Sequence, residues 1–234
     1  MPEPQSESGS AGQPPLILDD KSTVPAPPAK LHVTWMTLAA GSILHRVHRD
    51  IYGPVEFNPG FGDARFSPIQ NQEGEAIPTM YAGDTLACAL MESVFHDVPH
   101  SAGFKSFDKS KLDNQVHSSV KLERSVILAD LANVPLRKLG VSRKQLIDSE
   151  KNQYPATRQW AAAIHHQFPD IQGLSWISRQ DDRARATMLF GDRVPDGGLS
   201  PAEEPRSLLD DSTNYDAVLD VAEQIGVNIV PGKV

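Results

Sequence analysis

The chain is poor in cysteine: Cys88 is the one cysteine among 234 residues. A disulfide framework is therefore excluded, and so is a zinc site built from several cysteines. No apolar run reaches the roughly 18 residues that a transmembrane helix requires, so no membrane span is expected. The first residues, MPEPQSESGSAGQPP, lack the basic and apolar stretches of a secretory signal. We expect a cytoplasmic protein, where a lone thiol stays reduced.

Basic residues are also outnumbered. Lys and Arg total 22 against 30 Asp and Glu, which gives a formal net charge of −8. Such a chain repels a phosphate backbone unless its basic residues cluster, so direct nucleic-acid binding is not expected. Hydrophobic residues make up 39 % of the sequence, which is enough for a sizeable core.

Composition changes along the chain suggest its organisation. Residues 1–30 contain seven prolines together with Ser and Gly, and they predict an unpacked, disordered tail. Residues 31–234 are expected to form a single domain. Within it, the polar stretch 195–206, PDGGLSPAEEPR, predicts a surface loop.

Interleaved strand and helix patterns favour an α+β (mixed α/β) fold. Strands are predicted over 125–131, 173–178, 186–190 and 227–230. Helices are predicted over 84–95 with Asp84 as N-cap, 142–150 with Ser142 as N-cap, 156–168 and 215–225. In the third helix Trp160, Ala161, Ile164 and Phe168 share one face.

Glu92 is a candidate for chemistry because its helix is apolar on almost every side. A carboxylate in such a helix loses solvation energy unless it is paired or faces a polar cleft. The alternative is that Glu92 faces solvent on a narrow polar stripe with Asp84 and Thr85.

Three arginines are candidate anion ligands. Arg46 and Arg49 lie close together in LHRVHRD, and Arg65 follows a Gly- and Pro-rich turn. A guanidinium fork matches two phosphate oxygens. The alternative is an ordinary surface ion pair, which Arg65 would form with Asp63.

Tyr81 and Ser178 complete the candidates. Tyr81 either stacks on a planar ring or is a plain strand residue, and Ser178 either lines a site at a strand end or lies in a turn. His96 and His100 have i,i+4 spacing, but Pro99 interrupts the helix, so no metal site is expected.

Taken in order, the stretches LHRVHRD, GDARFSP, MYAGDTLACALMESVF and GLSWISR resemble the RES domain, over about residues 44–193. That family comprises toxins of bacterial toxin–antitoxin pairs. The resemblance implies an ADP-ribosyltransferase-like fold with a split β-sheet core. The residues that match the family's functional positions are Arg46 or Arg49, Arg65, Tyr81, Glu92 and Ser178.

The resemblance implies that the protein depletes NAD⁺ by cleaving the nicotinamide–ribose bond, with phosphate or water as acceptor. Glu92, Arg65 and Tyr81 would be catalytic, while Arg46, Arg49, Arg65, Tyr81 and Ser178 would bind NAD⁺ or phosphate. No cofactor would be needed beyond NAD⁺ as substrate and inorganic phosphate as co-substrate. An Xre-type helix-turn-helix antitoxin would be the partner, and a homo-oligomer stays open. Two alternatives are a mono-ADP-ribosyltransferase acting on a protein and a non-catalytic binding module.

Overall fold

The structure, a computed structural model, describes residues 23–232. Within them the chain forms an α+β fold, as predicted. The strands are β1 (Trp35–Leu38), β2 (Ile43–Arg49), β3 (Ile69–Gln70), β4 (Ala76–Ile77), β5 (Thr79–Gly83), β6 (Lys105–Asp108), β7 (Gln115–Leu122), β8 (Val126–Asp130), β9 (Gly173–Ile177), β10 (Arg185–Phe190), β11 (Leu199–Pro201), β12 (Arg206–Ser207) and β13 (Val227–Val230). The helices are α1 (Leu86–Ser93), α2 (Asn133–Leu139), α3 (Arg143–Leu146), α4 (Tyr154–Gln167) and α5 (Ser212–Gln224). None of these helices is long and apolar enough to cross a bilayer.

The main sheet is divided into two halves. Its strand order is β1-β8-β9-β10-β5-β2-β7-β11, and β12 also pairs with β7. Within each half the ladders are continuous: β10 and β5 share five residue pairs, and β2 and β7 share seven. Between the halves, β2 and β5 share the single pair His45 and Gly83. Of the junctions along this sheet, this one has the fewest paired residues.

Apolar side chains cover both sides of this sheet. One cluster joins β8, β9 and β10 to α2, α3 and α4, with Trp160, Ala161 and Ile164 of α4 fully buried at the predicted helical spacing. A second cluster joins α1 and α5 to β6 and β13. Trp35, in contrast, is 64 % exposed on edge strand β1.

The predicted helix start at Asp84 is also wrong. Thr85 is the N-cap of α1, and its Oγ1 accepts a hydrogen bond of 3.0 Å from the backbone N–H of Cys88. Asp84 instead donates its backbone N–H to the carbonyl of Arg185 in β10, which ties it to the sheet. The Ser142 cap is confirmed, since it forms a capping box with Gln145.

Part of the predicted tail is packed against the domain. Val24 is 5 % exposed and belongs to the first core cluster. The carbonyl of Pro25 accepts a hydrogen bond of 2.7 Å from the indole N–H of Trp160. The expectation of a tail over 1–30 is therefore wrong from Val24 onward, while residues 1–22 lie outside the described residues.

The predicted loop 195–206 is only partly a loop. Leu199–Pro201 and Arg206–Ser207 form β11 and β12, and both strands pair antiparallel with β7. Their residues are mostly polar because this edge of the sheet faces solvent. Edge pairing of this kind leaves no apolar pattern in the sequence.

Candidate functional site

A cavity of about 310 Å³ lies where β2 and β5 diverge. Four of the candidate residues line it: Arg46, Arg65, Tyr81 and Glu92. A second cavity of about 300 Å³ adjoins it and shares Arg46, Val47 and Tyr81. The structure thus brings together residues that lie up to 46 positions apart between Arg46 and Glu92.

Glu92 is presented to the larger cavity by α1, whose other face packs into the second core cluster. Its Oε1 lies 2.6 Å from Ser178 Oγ. Ser178 Oγ also accepts hydrogen bonds from the backbone N–H groups of Gln180 (3.0 Å) and Asp181 (2.9 Å). Because a hydroxyl has two acceptor sites and one hydrogen, the Ser178 O–H must donate to Glu92. Oε1 is therefore an acceptor held in one position, and the solvent-stripe alternative for Glu92 does not apply.

Ser178 itself is 0 % exposed and does not line the cavity. The guanidinium of Arg143 in α3 fixes the end of β9, because it donates to the carbonyls of Ile177 (3.1 Å) and Ser178 (2.9 Å). The structure therefore gives Ser178 a position behind Glu92. In this arrangement its hydroxyl hydrogen-bonds the Glu92 carboxylate, whereas the resemblance implied that Ser178 binds NAD⁺ or phosphate.

Arg65 is buried beside Glu92, and its loop is held by α4. Thr157 Oγ1 donates to the Arg65 carbonyl, and Arg158 Nε donates to the Ala64 carbonyl at 3.1 Å. The Arg65 Nη1 donates to the carbonyl (3.0 Å) and Oγ (2.8 Å) of Ser149. Within residues 23–232, the hydrogen bonds of the Arg65 side chain use Nη1. Its Nε and Nη2 therefore remain for a ligand.

The surroundings of Arg65 shift its pKa. Burial lowers its pKa, while Tyr154 and Glu92 oppose that shift. Its guanidinium also lies 5.1 Å from the centroid of the Tyr154 ring. The predicted alternative of an ion pair with Asp63 is wrong, since Asp63 pairs with Arg158.

Arg46 lines both cavities, and burial lowers its pKa to about 10. Its Nη1 donates to the carbonyls of Gly53 (3.4 Å), Pro54 (3.0 Å) and Glu56 (2.8 Å). Arg46 thus also holds the loop that follows β2. Arg49 is exposed at the end of the strand. It lines the second cavity but not the first. Of the two arginines left open by the sequence, Arg46 is the one that lines the same cavity as Glu92.

Tyr81 lies on β5 between the two cavities. Its hydroxyl accepts a hydrogen bond of 3.1 Å from the Phe66 N–H, and burial raises the pKa of the hydroxyl to about 12. The ring meets Trp176 edge to face, with 6.2 Å between centroids. Tyr81 is therefore a strand residue that also lines both cavities, while its stacking on a planar ring stays a prediction.

Sequence reasoning missed several further lining residues, among them His45, Tyr154, His96 and Lys151. Tyr154 begins α4 and its hydroxyl lies 3.5 Å from His96 Nε2. His96 had been considered only as a metal ligand, and residues 23–232 contain no cluster of three or more His, Cys, Asp or Glu that could hold one. The sequence signal for Tyr154 was its position as an aromatic residue directly before Pro155, at the predicted start of a helix.

The fold and the cleft define an α+β protein with a cavity at the junction of β2 and β5, lined by a carboxylate on α1 and by two buried arginines. The chain belongs to the RES domain family, whose pattern matches residues 43–215. RES domains are associated with enzymatic toxins that act on NAD⁺ and with toxin–antitoxin pairs. The match extends past residue 193, where the sequence resemblance had ended, and so includes β11, β12 and the start of α5. None of the curated proteins compared with the chain matched it.

Proposed function

We propose that this RES-domain protein is a toxin that depletes NAD⁺ by cleaving the bond between nicotinamide and ribose, with water or phosphate as acceptor. The observation that carries the proposal is the Glu92 carboxylate, which Ser178 holds in place at a cleft lined by Arg46 and Arg65. NAD⁺ suits this cleft because it combines an anionic pyrophosphate with a ribose that becomes cationic when the bond breaks.

Glu92 acts on the ribose. As nicotinamide leaves with the bonding electron pair, positive charge develops on the anomeric carbon and the ring oxygen, as in glycoside cleavage. A carboxylate fixed beside the ribose stabilises that charge more than it stabilises the ground state. The hydrogen bond from Ser178 fixes one carboxylate oxygen, and the second oxygen is left for a ribose hydroxyl.

Arg46 and Arg65 act on the pyrophosphate. Each uses Nη1 for the protein contacts described above and retains other N–H donors, and both residues line the cavity. Preorganised guanidinium groups bind phosphate oxygens with little loss of side-chain freedom. They also focus positive potential in one cleft of a chain whose net charge is −8.

The two adjoining cavities fit the two ends of a dinucleotide. The larger one contains Glu92 and the aromatic side chains of Tyr154 and Trp176, and it suits the nicotinamide riboside end. The second one suits the adenosine end. Arg46 and Tyr81 lie on the boundary, where the pyrophosphate would pass.

A protein partner is favoured by the apolar side chains around the second cavity. Phe61 is 72 % exposed and Tyr52 is 39 % exposed, and both line it. Large exposed apolar side chains at a cleft mark protein-binding surfaces. An Xre-type antitoxin that covers this mouth would keep NAD⁺ out. A protein substrate would occupy the same surface, which makes protein ADP-ribosylation the second candidate function.

The test is incubation of the purified full chain with NAD⁺, with and without inorganic phosphate, followed by chromatography of the products. Hydrolysis yields nicotinamide and ADP-ribose, and phosphorolysis yields nicotinamide and ADP-ribose phosphorylated at the anomeric carbon. Transfer of labelled ADP-ribose to a protein, without these free products, would favour the second candidate. Intact NAD⁺ after long incubation would contradict both activities and favour a binding module.

A further inference from the structure

His45 of β2 lines the larger cavity. Hydrogen bonds connect it through His117 of β7 to Asn214 of α5. Nδ1 of His45 lies 2.9 Å from Nε2 of His117. The two rings are stacked, with 5.2 Å between centroids and an interplanar angle of 18°. Nδ1 of His117 lies 3.2 Å from Oδ1 of Asn214, near the start of α5. The three side chains form a continuous row that ends at the cavity.

The direction of each hydrogen bond follows from Asn214. Its amide nitrogen donates to the carbonyls of Arg206 (3.2 Å) and Ser207 (3.3 Å), so its Oδ1 must face His117. His117 therefore carries its proton on Nδ1 and accepts on Nε2. His45 in turn must carry its proton on Nδ1, which leaves the lone pair on Nε2.

Both rings are held in the neutral form that this row requires. Burial and the neighbouring His45 lower the pKa of His117 to about 4. Burial also lowers the pKa of His45, although Asp84 and Glu203 oppose the shift. A neutral imidazole has one donor and one acceptor nitrogen, so fixing the first decides the second.

We propose that His45 is the general base that removes a proton from the acceptor, and that His117 and Asn214 are positioning residues that keep its Nε2 lone pair toward the cavity. This inference rests on the proposed function. In hydrolysis, the bond between the anomeric carbon and nicotinamide breaks, and nicotinamide leaves with the electron pair. A water oxygen forms the new bond to that carbon, and its proton passes to His45 Nε2. The imidazolium then returns the proton to solvent.

The arrangement differs from that of a histidine with a purely structural role. Within residues 23–232, no protein group hydrogen-bonds to Nε2 of His45, and that nitrogen is not a buried unpaired atom. His48, on the opposite face of the same strand, uses both ring nitrogens for Arg49 and Ser118. The free nitrogen of His45 is therefore the one that a molecule in the cavity can reach.

The first test reads the tautomers directly and does not require activity. Two-dimensional ¹H–¹⁵N spectra of the histidine rings in the full chain at neutral pH should show His45 and His117 protonated on Nδ1. In His117→Gln, the amide oxygen occupies the place of Nε2 and should keep His45 in that tautomer. His117→Asn is too short to reach His45 and should release it. A wild-type His45 protonated on Nε2 overturns the inference.

The second test is kinetic and uses His45→Asn, whose amide keeps the hydrogen bond to His117 but has no counterpart of Nε2. Hydrolysis should fall about 100-fold or more, the usual contribution of a general base, with KM for NAD⁺ little changed. Phosphorolysis should fall less than tenfold, because the phosphate dianion attacks without losing a proton. His117→Gln should stay within about threefold of the wild type, and His117→Asn should not. His45→Gln serves as a second variant if the first fails to fold.

The outcomes separate the two proposals. A folded His45→Asn that hydrolyses NAD⁺ at the wild-type rate overturns the base role and leaves the proposed function standing. A wild type that catalyses phosphorolysis but not hydrolysis also overturns the base role and leaves the proposed function standing. A wild type that leaves NAD⁺ intact contradicts the proposed function and the base role with it, while the spectra still decide the tautomers.

Discussion

Replacing Ser178 with alanine separates two interpretations of this residue. The hydroxyl is fully buried, donates to Glu92 at 2.6 Å, and accepts from the N–H groups of Gln180 and Asp181. If Ser178 orients Glu92, its loss should lower kcat and leave KM for NAD⁺ nearly unchanged. If Ser178 bound nicotinamide, its loss should instead raise KM.

The magnitudes follow from the hydrogen bonds. A hydrogen bond to a charged group contributes about 1.5–3 kcal/mol. Loss of that amount from the transition state lowers the rate by roughly 10- to 150-fold, at about 1.36 kcal/mol per decade. Two backbone N–H groups also lose their acceptor, which costs about 1–3 kcal/mol of the free energy of unfolding. For a chain of this length that corresponds to a fall in Tm of roughly 2–12 °C.

The assay is steady-state NAD⁺ consumption together with thermal unfolding. Ser175→Ala is the matched control, because Ser175 lies three residues earlier, in β9, and is also buried. Its Oγ accepts from Arg185 Nε instead of contacting Glu92. The control should lose stability without a comparable loss of kcat. A folded Ser178→Ala enzyme with wild-type kcat would refute the orienting role.

Three further predictions concern binding and stability. Arg65→Lys should not restore the NAD⁺ affinity lost in Arg65→Ala, because an ammonium lacks the guanidinium fork; calorimetric titration that finds wild-type affinity in the lysine variant would exclude this contact. Arg46→Ala should weaken NAD⁺ binding at least tenfold more than Arg49→Ala does, and equal effects in the same titration would argue against the assignment of Arg46. Val24→Ala should lower the free energy of unfolding by about 1–2 kcal/mol, at about 0.8 kcal/mol per buried methylene. Val134→Ala, at a 75 % exposed position, should change it by less than about 0.5 kcal/mol in the same urea titration, and matching values would show that Val24 is not packed.

The apolar elements of the fold were predictable from the sequence. Strands β8, β9, β10 and β13 and helices α1, α4 and α5 were all expected near their observed positions. Strand β7, QVHSSVKL, was missed because it is polar on one face and pairs with edge strands. Val24 was missed because its proline-rich surroundings are typical of an unpacked chain, whereas its burial depends on Trp160, far away in sequence.

The sequence allowed several residues of the site to be predicted, but it did not allow the hydrogen bonds between them to be predicted. Glu92 and Arg65 stood out by residue type in unusual surroundings, and the structure places both at one cavity. The role of Ser178 depends on a contact across 86 positions. The row from His45 to Asn214 depends on strand register and on the start of α5. No local pattern in a single sequence encodes such pairings.

The most direct test of the central claim is NAD⁺ consumption by Glu92→Gln, measured beside the wild type and a Glu223→Gln control. Gln keeps the size of the side chain and removes the charge, and Glu223 is an exposed glutamate on α5. The account predicts that Glu92→Gln loses about 3–4 kcal/mol of transition-state stabilisation, or two to three decades in rate, while the control turns over normally. A folded Glu92→Gln protein that consumes NAD⁺ like the wild type would contradict the account.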